Sequence, residues 1–194
     1  MANYLDYANR QSERVGLYVH YSETHDNRRL AERGRAWSLL RNRLCALTSP
    51  SGGFAFTCGV EWLATEKIRV HGVTGLNWDS PDNIIPELAR LNALIRDHPC
   101  FFDGAKLTRL SPVSSPVYAL LRESAEGRDT VLVLVNTDIK EIQSVTINPA
   151  AVKAELKTFT VDLLGQTPAA FVPEGDQLIF TLAPGAGHCL ASAA

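Results

Sequence analysis

The sequence has no run of eighteen apolar residues, no CxxC pair, no block of like charge and no low-complexity tract. The first absence leaves no candidate for a membrane-spanning helix, which needs about 18 or more consecutive apolar residues. The second excludes a zinc ribbon. Cys45, Cys58, Cys100 and Cys189 stand singly and read as buried thiols of a cytoplasmic protein rather than a disulfide framework. The third absence, with a net charge of -2, argues against a general nucleic-acid binder and against a membrane-surface patch. The opening "MANYLDYANRQSERVG" shows no basic stretch followed by an apolar one, so no signal peptide is expected.

What is present is the balance of a globular protein: 45% hydrophobic and 21% charged over 194 residues, enough for one large domain or two small ones. The pattern divides near residue 103. Before it, helix-like and strand-like segments alternate; after it, nearly everything reads as strand.

The first half opens with a polar, helical lead (2–13), then a short strand expected over 15–21. Over 29–47, Leu30, Trp37, Leu40, Leu44 and Leu47 recur mostly at three- and four-residue spacing, the signature of one apolar helical face. Gly34 lies inside that stretch and delays the helix start. "TSPSGG" stops the helix, and "FAFTCGV" suits a fully buried strand. A long loop (61–79) carries Trp62, Glu66, His71, Asn77 and Trp78. A second helix is expected to be capped by Ser80, to take Pro81 at its first position and to end at Pro99, burying Ile84, Ile85, Leu88, Leu91 and Ile95. Strand, helix, strand, helix makes two βα units, which suit a parallel sheet. Two parallel strands alone leave both sheet edges open, so further units are expected N-terminal to them.

In the second half, "AKLTRL", "VYALLRES", "TVLVLVN", "SVTIN", "KTFTVDLL", "DQLIFTLAP" and "GHCLASA" alternate with turn signals such as "EGRD", "LGQTP" and "PGAG". Strands at that spacing point to an antiparallel sandwich over 103–194.

The chemistry-bearing residues cluster after the first strand: Glu23, His25, Asp26, Arg28 and Arg29. Loops that follow parallel strands leave from one edge of the sheet, where βα folds place function. Three readings compete. Asp26 or Asn27 could simply cap the next helix. His20, His25 and Asp26 could ligate a metal, although strand alternation turns His20 and His25 apart. Or the group could bind a ligand. Trp62 and Trp78 could likewise stack on a sugar or anchor their loop by packing. The arginines of the helix are spread around it, which does not favour nucleic acid.

"ETHDNRRL" resembles the strand-seven motif of the α-amylase family (glycoside hydrolase family 13), commonly ENHD followed by Asn, one residue and Arg. "RLCALTSPSGGFAFTCGVEW" is similar to that family's strand-eight region. "ELARLNALIRDHPCF" resembles its last barrel helix, and "TVLVLVNTD" and "LIFTLAPGAGHCLAS" resemble strands of its C-terminal β-sandwich. The likeness runs in order along nearly the whole chain.

The resemblance implies an α/β plus all-β protein. Residues 1–102 would be the last two βα units of a (β/α)8 barrel, and 103–194 an antiparallel sandwich of the amylase C-terminal type. It implies a retaining glycosidase or glucanotransferase acting on α-glucans or maltooligosaccharides; from the residues themselves no cofactor and no metal site is expected. Such enzymes use a nucleophile and a general acid about 5–5.5 Å apart, which the family carries on strands four and five. Asp26 would be the third, transition-state-stabilising carboxylate. His25, with Arg29, Glu23 and Trp62, would bind substrate, and Arg29 would support the carboxylates electrostatically. Thr24 stands where the family commonly has Asn, and Glu61 matches a position that is more often structural than catalytic. The strands bearing nucleophile and acid have no match here, so this chain alone is expected to be inactive. About 300 upstream residues holding six βα units are expected as its partner, and open strand edges could also pair two copies as a dimer. The competing reading is a non-catalytic carbohydrate-binding or structural sandwich module.

Overall fold

A computed structural model of the chain describes residues 2–69, 71–72, 75–151 and 156–193. The polar lead is α1 (Ala2–Val15), which buries Leu5 and Ala8 and leaves Tyr4, Tyr7 and Val15 exposed. The strand expected over 15–21 shrinks to β1 (His20–Tyr21). The reason lies on both sides of it: α1 consumes Val15, and the Tyr18 amide donates to the Ser12 hydroxyl at 3.0 Å instead of to a strand. β1 pairs in parallel with β2 (Phe54–Ala55), His20 opposite Phe54 and Tyr21 opposite Ala55. β2 is shorter than "FAFTCGV" suggested and only half-buried. Among the described residues the parallel sheet stops at these two strands.

Between them, the helix expected over 29–47 is broken into a 3-10 turn (Leu30–Arg33) and α2 (Arg35–Leu47). Gly34 separates the two at φ +86°, in the left-handed region glycine occupies without penalty. The last helix, α3, spans Ile85–Asp97. Ser80 and Pro81 therefore do not start it. A helix begun at Pro81 would carry Pro86 in its interior, with no N–H to donate and a ring against the preceding turn. Beginning at Ile85 puts Pro86 in the first turn, and Asn83 Oδ1 accepts the Ile85 amide at 3.2 Å. Ile84 is then fully buried, whereas Ile85, expected inside, is 42% exposed.

The second half holds β3 (Lys106–Arg109), β4 (Val117–Glu123), β5 (Thr130–Asn136), β6 (Gln143–Ile147), β7 (Phe159–Asp162), β8 (Phe171–Glu174), β9 (Gln177–Leu182) and β10 (Gly187–Ser192). They form a five-stranded sheet in the order β3-β4-β5-β10-β7 and a three-stranded sheet in the order β6-β9-β8, with antiparallel pairing throughout.

The five-stranded sheet is apolar on both faces. Val117, Ala119, Leu121, Leu132, Leu134 and Leu190 share a core with Phe180 and Leu182 of the smaller sheet. Their alternating neighbours Tyr118, Leu120, Val131, Val133, Val135 and Cys189 share another with Leu40, Leu44, Leu47, Leu88 and Leu91 of α2 and α3. Burial on both sides explains why "VYALL" and "VLVLV" are continuously apolar rather than alternating. The arrangement is layered: small sheet, large sheet, helices, then the parallel pair. Arg122 pins the layers. Fully buried, it donates from Nη1 to the Leu47 and Ser49 carbonyls, both 2.9 Å, and from Nε to the Cys100 carbonyl at 2.9 Å.

Candidate functional site

Because β1 and β2 are parallel, the segments that follow them leave from the same edge. There the polar cluster splits into a buried half and an exposed half.

The buried half is Glu23 and Arg29, whose side chains are each 1% exposed and pair at 3.1 Å between Oε1 and Nε. A buried ion pair is tolerable only where further hydrogen bonds satisfy its lone pairs and protons, and here they largely do. Glu23 Oε2 accepts the Leu30 amide at 2.6 Å, and Oε1 accepts the Thr57 hydroxyl at 2.5 Å. Arg29 Nη2 donates to the Cys58 carbonyl at 3.0 Å. Arg29 Nη1 is buried with no hydrogen-bond partner among the described residues. Glu23 and Arg29 were expected to bind substrate, but neither side chain reaches the surface. Instead they stitch the segment after β1 to the segment after β2. Thr57 and the Cys58 carbonyl escaped the sequence reading, which took "FAFTCGV" for a fully buried strand.

Gly59 completes this floor. Its φ is +91°, and a Cβ there would lie 2.7 Å from Arg29 Nη2. Its amide donates to Glu61 Oε2 at 2.9 Å, so Glu61 closes its own loop.

The exposed half is His25 and Asp26, carried above the floor on a turn. The Asn27 amide donates to the Thr24 carbonyl at 3.1 Å, and the Thr24 hydroxyl donates to Asn27 Oδ1 at 2.8 Å. Thr24 thus locks the turn through its own hydroxyl. With Asn27 engaged, His25 and Asp26 at the apex are free to face solvent. Their side chains are 55% and 81% exposed, with His25 Nε2 3.4 Å from Asp26 Oδ1. A carboxylate and an imidazole side by side offer acceptors and a donor to a polyhydroxylated ligand.

The metal reading loses its third member. His20 is buried, and its Nδ1 lies 3.4 Å from the Thr48 hydroxyl of the residue after α2, whereas His25 is exposed. Burial holds the His20 pKa down at about 4. Among the described residues no three His, Cys, Asp or Glu side chains gather as a metal site.

Trp62 and Trp78 meet with ring centroids 4.4 Å apart and planes tilted by 56°. Asn77 Nδ2 donates to the Trp62 carbonyl at 2.8 Å. Trp62 is partly covered, whereas Trp78 is 59% exposed. The loop between them includes Val70, Val73 and Thr74, which lie outside the described residues.

Comparison with solved structures shows where this architecture recurs. Twelve chains match. Over 94% of the present chain, an α-amylase from H. orenii superposes with a TM-score of 0.61 at 15% identity. A noncanonic maltogenic α-amylase, AmyB from Thermotoga neapolitana, superposes over 98% with a TM-score of 0.74 at 16% identity. The chain shares the fold of part of an α-amylase. It spans 42% and 45% of those two chains, less than half of either. No protein-family model and no curated protein matches the sequence. Among the described residues no helix is long and apolar enough to cross a membrane.

Proposed function

We propose that the chain is the C-terminal portion of an α-amylase-like glycosidase or glucanotransferase, comprising the end of its (β/α)8 barrel and its C-terminal sandwich. In this reading it contributes a sugar-holding surface and not the bond-cleaving pair. His25 and Asp26 hydrogen-bond the hydroxyls of one glucose unit, and Asp26 favours the distorted, oxocarbenium-like ring of the transition state. Glu23 and Arg29 hold the turn from below, and Trp62 with Trp78 supplies an apolar face beside it. Retaining hydrolysis needs two carboxyl groups about 5–5.5 Å apart. In the segments after β1 and β2, Glu23 has both oxygens engaged and Glu61 holds Gly59. The chain alone therefore leaves glycosidic bonds intact.

The observation that carries this reading is the exposed His25–Asp26 pair at the apex of a self-locked turn, presented where a parallel strand ends in an amylase-like fold. Isothermal titration with maltoheptaose tests it. Weak binding, lost in Asp26→Ala without loss of folding, is expected. Binding unaffected by Asp26→Ala would transfer the function to the sandwich.

A further inference from the structure

The side that α2 turns to β1 carries hydrogen-bonding groups. Asn42 and Cys45 lie on it, Thr48 follows at the helix end, and all three are buried. Their three-residue spacing keeps them along one flank of the helix. Each meets a different residue of the strand that leads to the His25–Asp26 turn. Asn42 Oδ1 accepts the Ser22 hydroxyl at 2.8 Å, and Asn42 Nδ2 donates to the Ser38 carbonyl at 2.8 Å, so both ends of the amide are held. The Cys45 thiol donates to the Tyr21 carbonyl at 3.7 Å. His20 Nδ1 lies 3.4 Å from the Thr48 hydroxyl oxygen. The hydroxyl's own proton goes to the Leu44 carbonyl at 2.7 Å, which leaves the His20 proton to make that bond.

An apolar face would satisfy burial at lower cost, since every buried polar group must find a partner. What the polar stripe adds is register, as a single buried Asn does in a helix pair. β1 and β2 pair over only two residues, through the His20 amide to the Gly53 carbonyl at 2.7 Å and the Ser22 amide to the Ala55 carbonyl at 3.0 Å. A slip of one residue would turn every side chain of β1 to the opposite face. His20 and Ser22 would leave α2, the exposed Tyr21 would enter, and Glu23 would leave Arg29. Asn42 and Thr48 resist that slip, because it would orphan their buried groups.

The far end of the stripe is fixed to the sandwich. Arg122 Nη1, from β4, donates to the carbonyls of Leu47 and Ser49 at 2.9 Å each, the two residues that flank Thr48. One three-residue segment thus grips the large sheet with its backbone and β1 with a side chain. We propose that Asn42 and Thr48 are positioning residues for the sugar-holding turn, and that the sandwich braces them through Arg122. α2 sets the register of β1, and β1 sets where His25 and Asp26 stand. What the turn holds rests on the function proposed above; the bracing does not.

Thr48→Val keeps the shape of the side chain and removes the hydroxyl, whereas Thr48→Ser keeps the hydroxyl. Both are compared with the wild type and Ser22→Ala by two readouts: the amide shifts of residues 24–28 in two-dimensional NMR without ligand, and the maltoheptaose dissociation constant. Thr48→Val and Ser22→Ala should each move the 24–28 amides and weaken binding by about 5-fold, the size of one lost hydrogen bond. Thr48→Ser should return both readouts to wild-type values, and Arg122→Lys should move the same amides. A role in stability alone would lower the urea midpoint and leave the shifts of the native turn unchanged, which overturns the proposal. So does a Thr48→Ser protein as disturbed as Thr48→Val, and so does an Arg122→Lys protein whose changes stay within the sandwich. Wild-type protein that binds no maltoheptaose removes the sugar reading, and the ligand-free shifts still decide whether α2 positions the turn.

Discussion

Arg122 Nη1 lies 2.9 Å from the Leu47 carbonyl oxygen, joining the large antiparallel sheet to the last turn of α2. The carbonyls at a helix C-terminus lack intrahelical donors and carry the negative end of its dipole, so a cation suits them. The guanidinium also lies 4.0 Å over the Phe101 ring. Burial lowers its pKa to about 10, which leaves it charged at neutral pH.

Arg122→Met should therefore cost about 3 kcal/mol, since it orphans buried carbonyls at the joint between the layers. Arg122→Lys should recover only part, because one ammonium cannot reproduce the planar fork that reaches three carbonyls. Denaturant unfolding of the three proteins measures both.

His20 makes the fold acid-sensitive. Its folded pKa of about 4 lies below the ordinary 6.5 because burial disfavours the imidazolium. Above pH 6.5 the ring is neutral in both states and contributes no pH dependence. Between pH 6.5 and 4 the unfolded chain takes up the proton and the folded chain does not, so stability falls. The loss reaches about 3 kcal/mol at pH 4. His20→Gln should remove that slope, read from urea midpoints across the same window.

Glu23 and Arg29 should behave as one unit. Glu23→Gln or Arg29→Met should each destabilise by about 3 kcal/mol, because each leaves a buried charge unpaired. The double variant should cost less than the sum of the two, and a double-mutant cycle by thermal denaturation reads the coupling. The same single variants should weaken maltoheptaose binding although neither side chain reaches the surface.

Gly59→Ala should damage this floor from the other side. It imposes left-handed strain at φ +91° and drives a Cβ to 2.7 Å from Arg29 Nη2. A loss of about 2 kcal/mol in thermal unfolding is expected, larger than for Gly127→Ala, where φ +68° imposes the backbone strain but a Cβ meets nothing within 4 Å.

Much of this architecture was legible because burial writes itself into residue pattern. The seven antiparallel strands read from the sequence are all present, and "VYALL" and "VLVLV" carried the double burial of the large sheet. β8 went unread because its core, "FVPE", holds Pro173 and no alternation. A proline is tolerated there because β8 is an edge of the smaller sheet. The start of α3 was misread because two proline signals competed, and only the interior cost of Pro86 decides between them. At the site, residue types announced a polar cluster but not its division. Which member goes inside depends on Thr57 and Cys58, more than twenty-five residues downstream of both Glu23 and Arg29. That pairing is tertiary, and no local periodicity encodes it.

The proposed surface holds a glucan without cutting it. A two-dimensional NMR titration with maltoheptaose, followed for ligand cleavage in the same tube, tests this most directly. Shifts clustered on the 24–28 turn, with the ligand intact throughout, are the expected result. Shifts centred on the β6-β9-β8 sheet, or the appearance of shorter oligosaccharides, would contradict it.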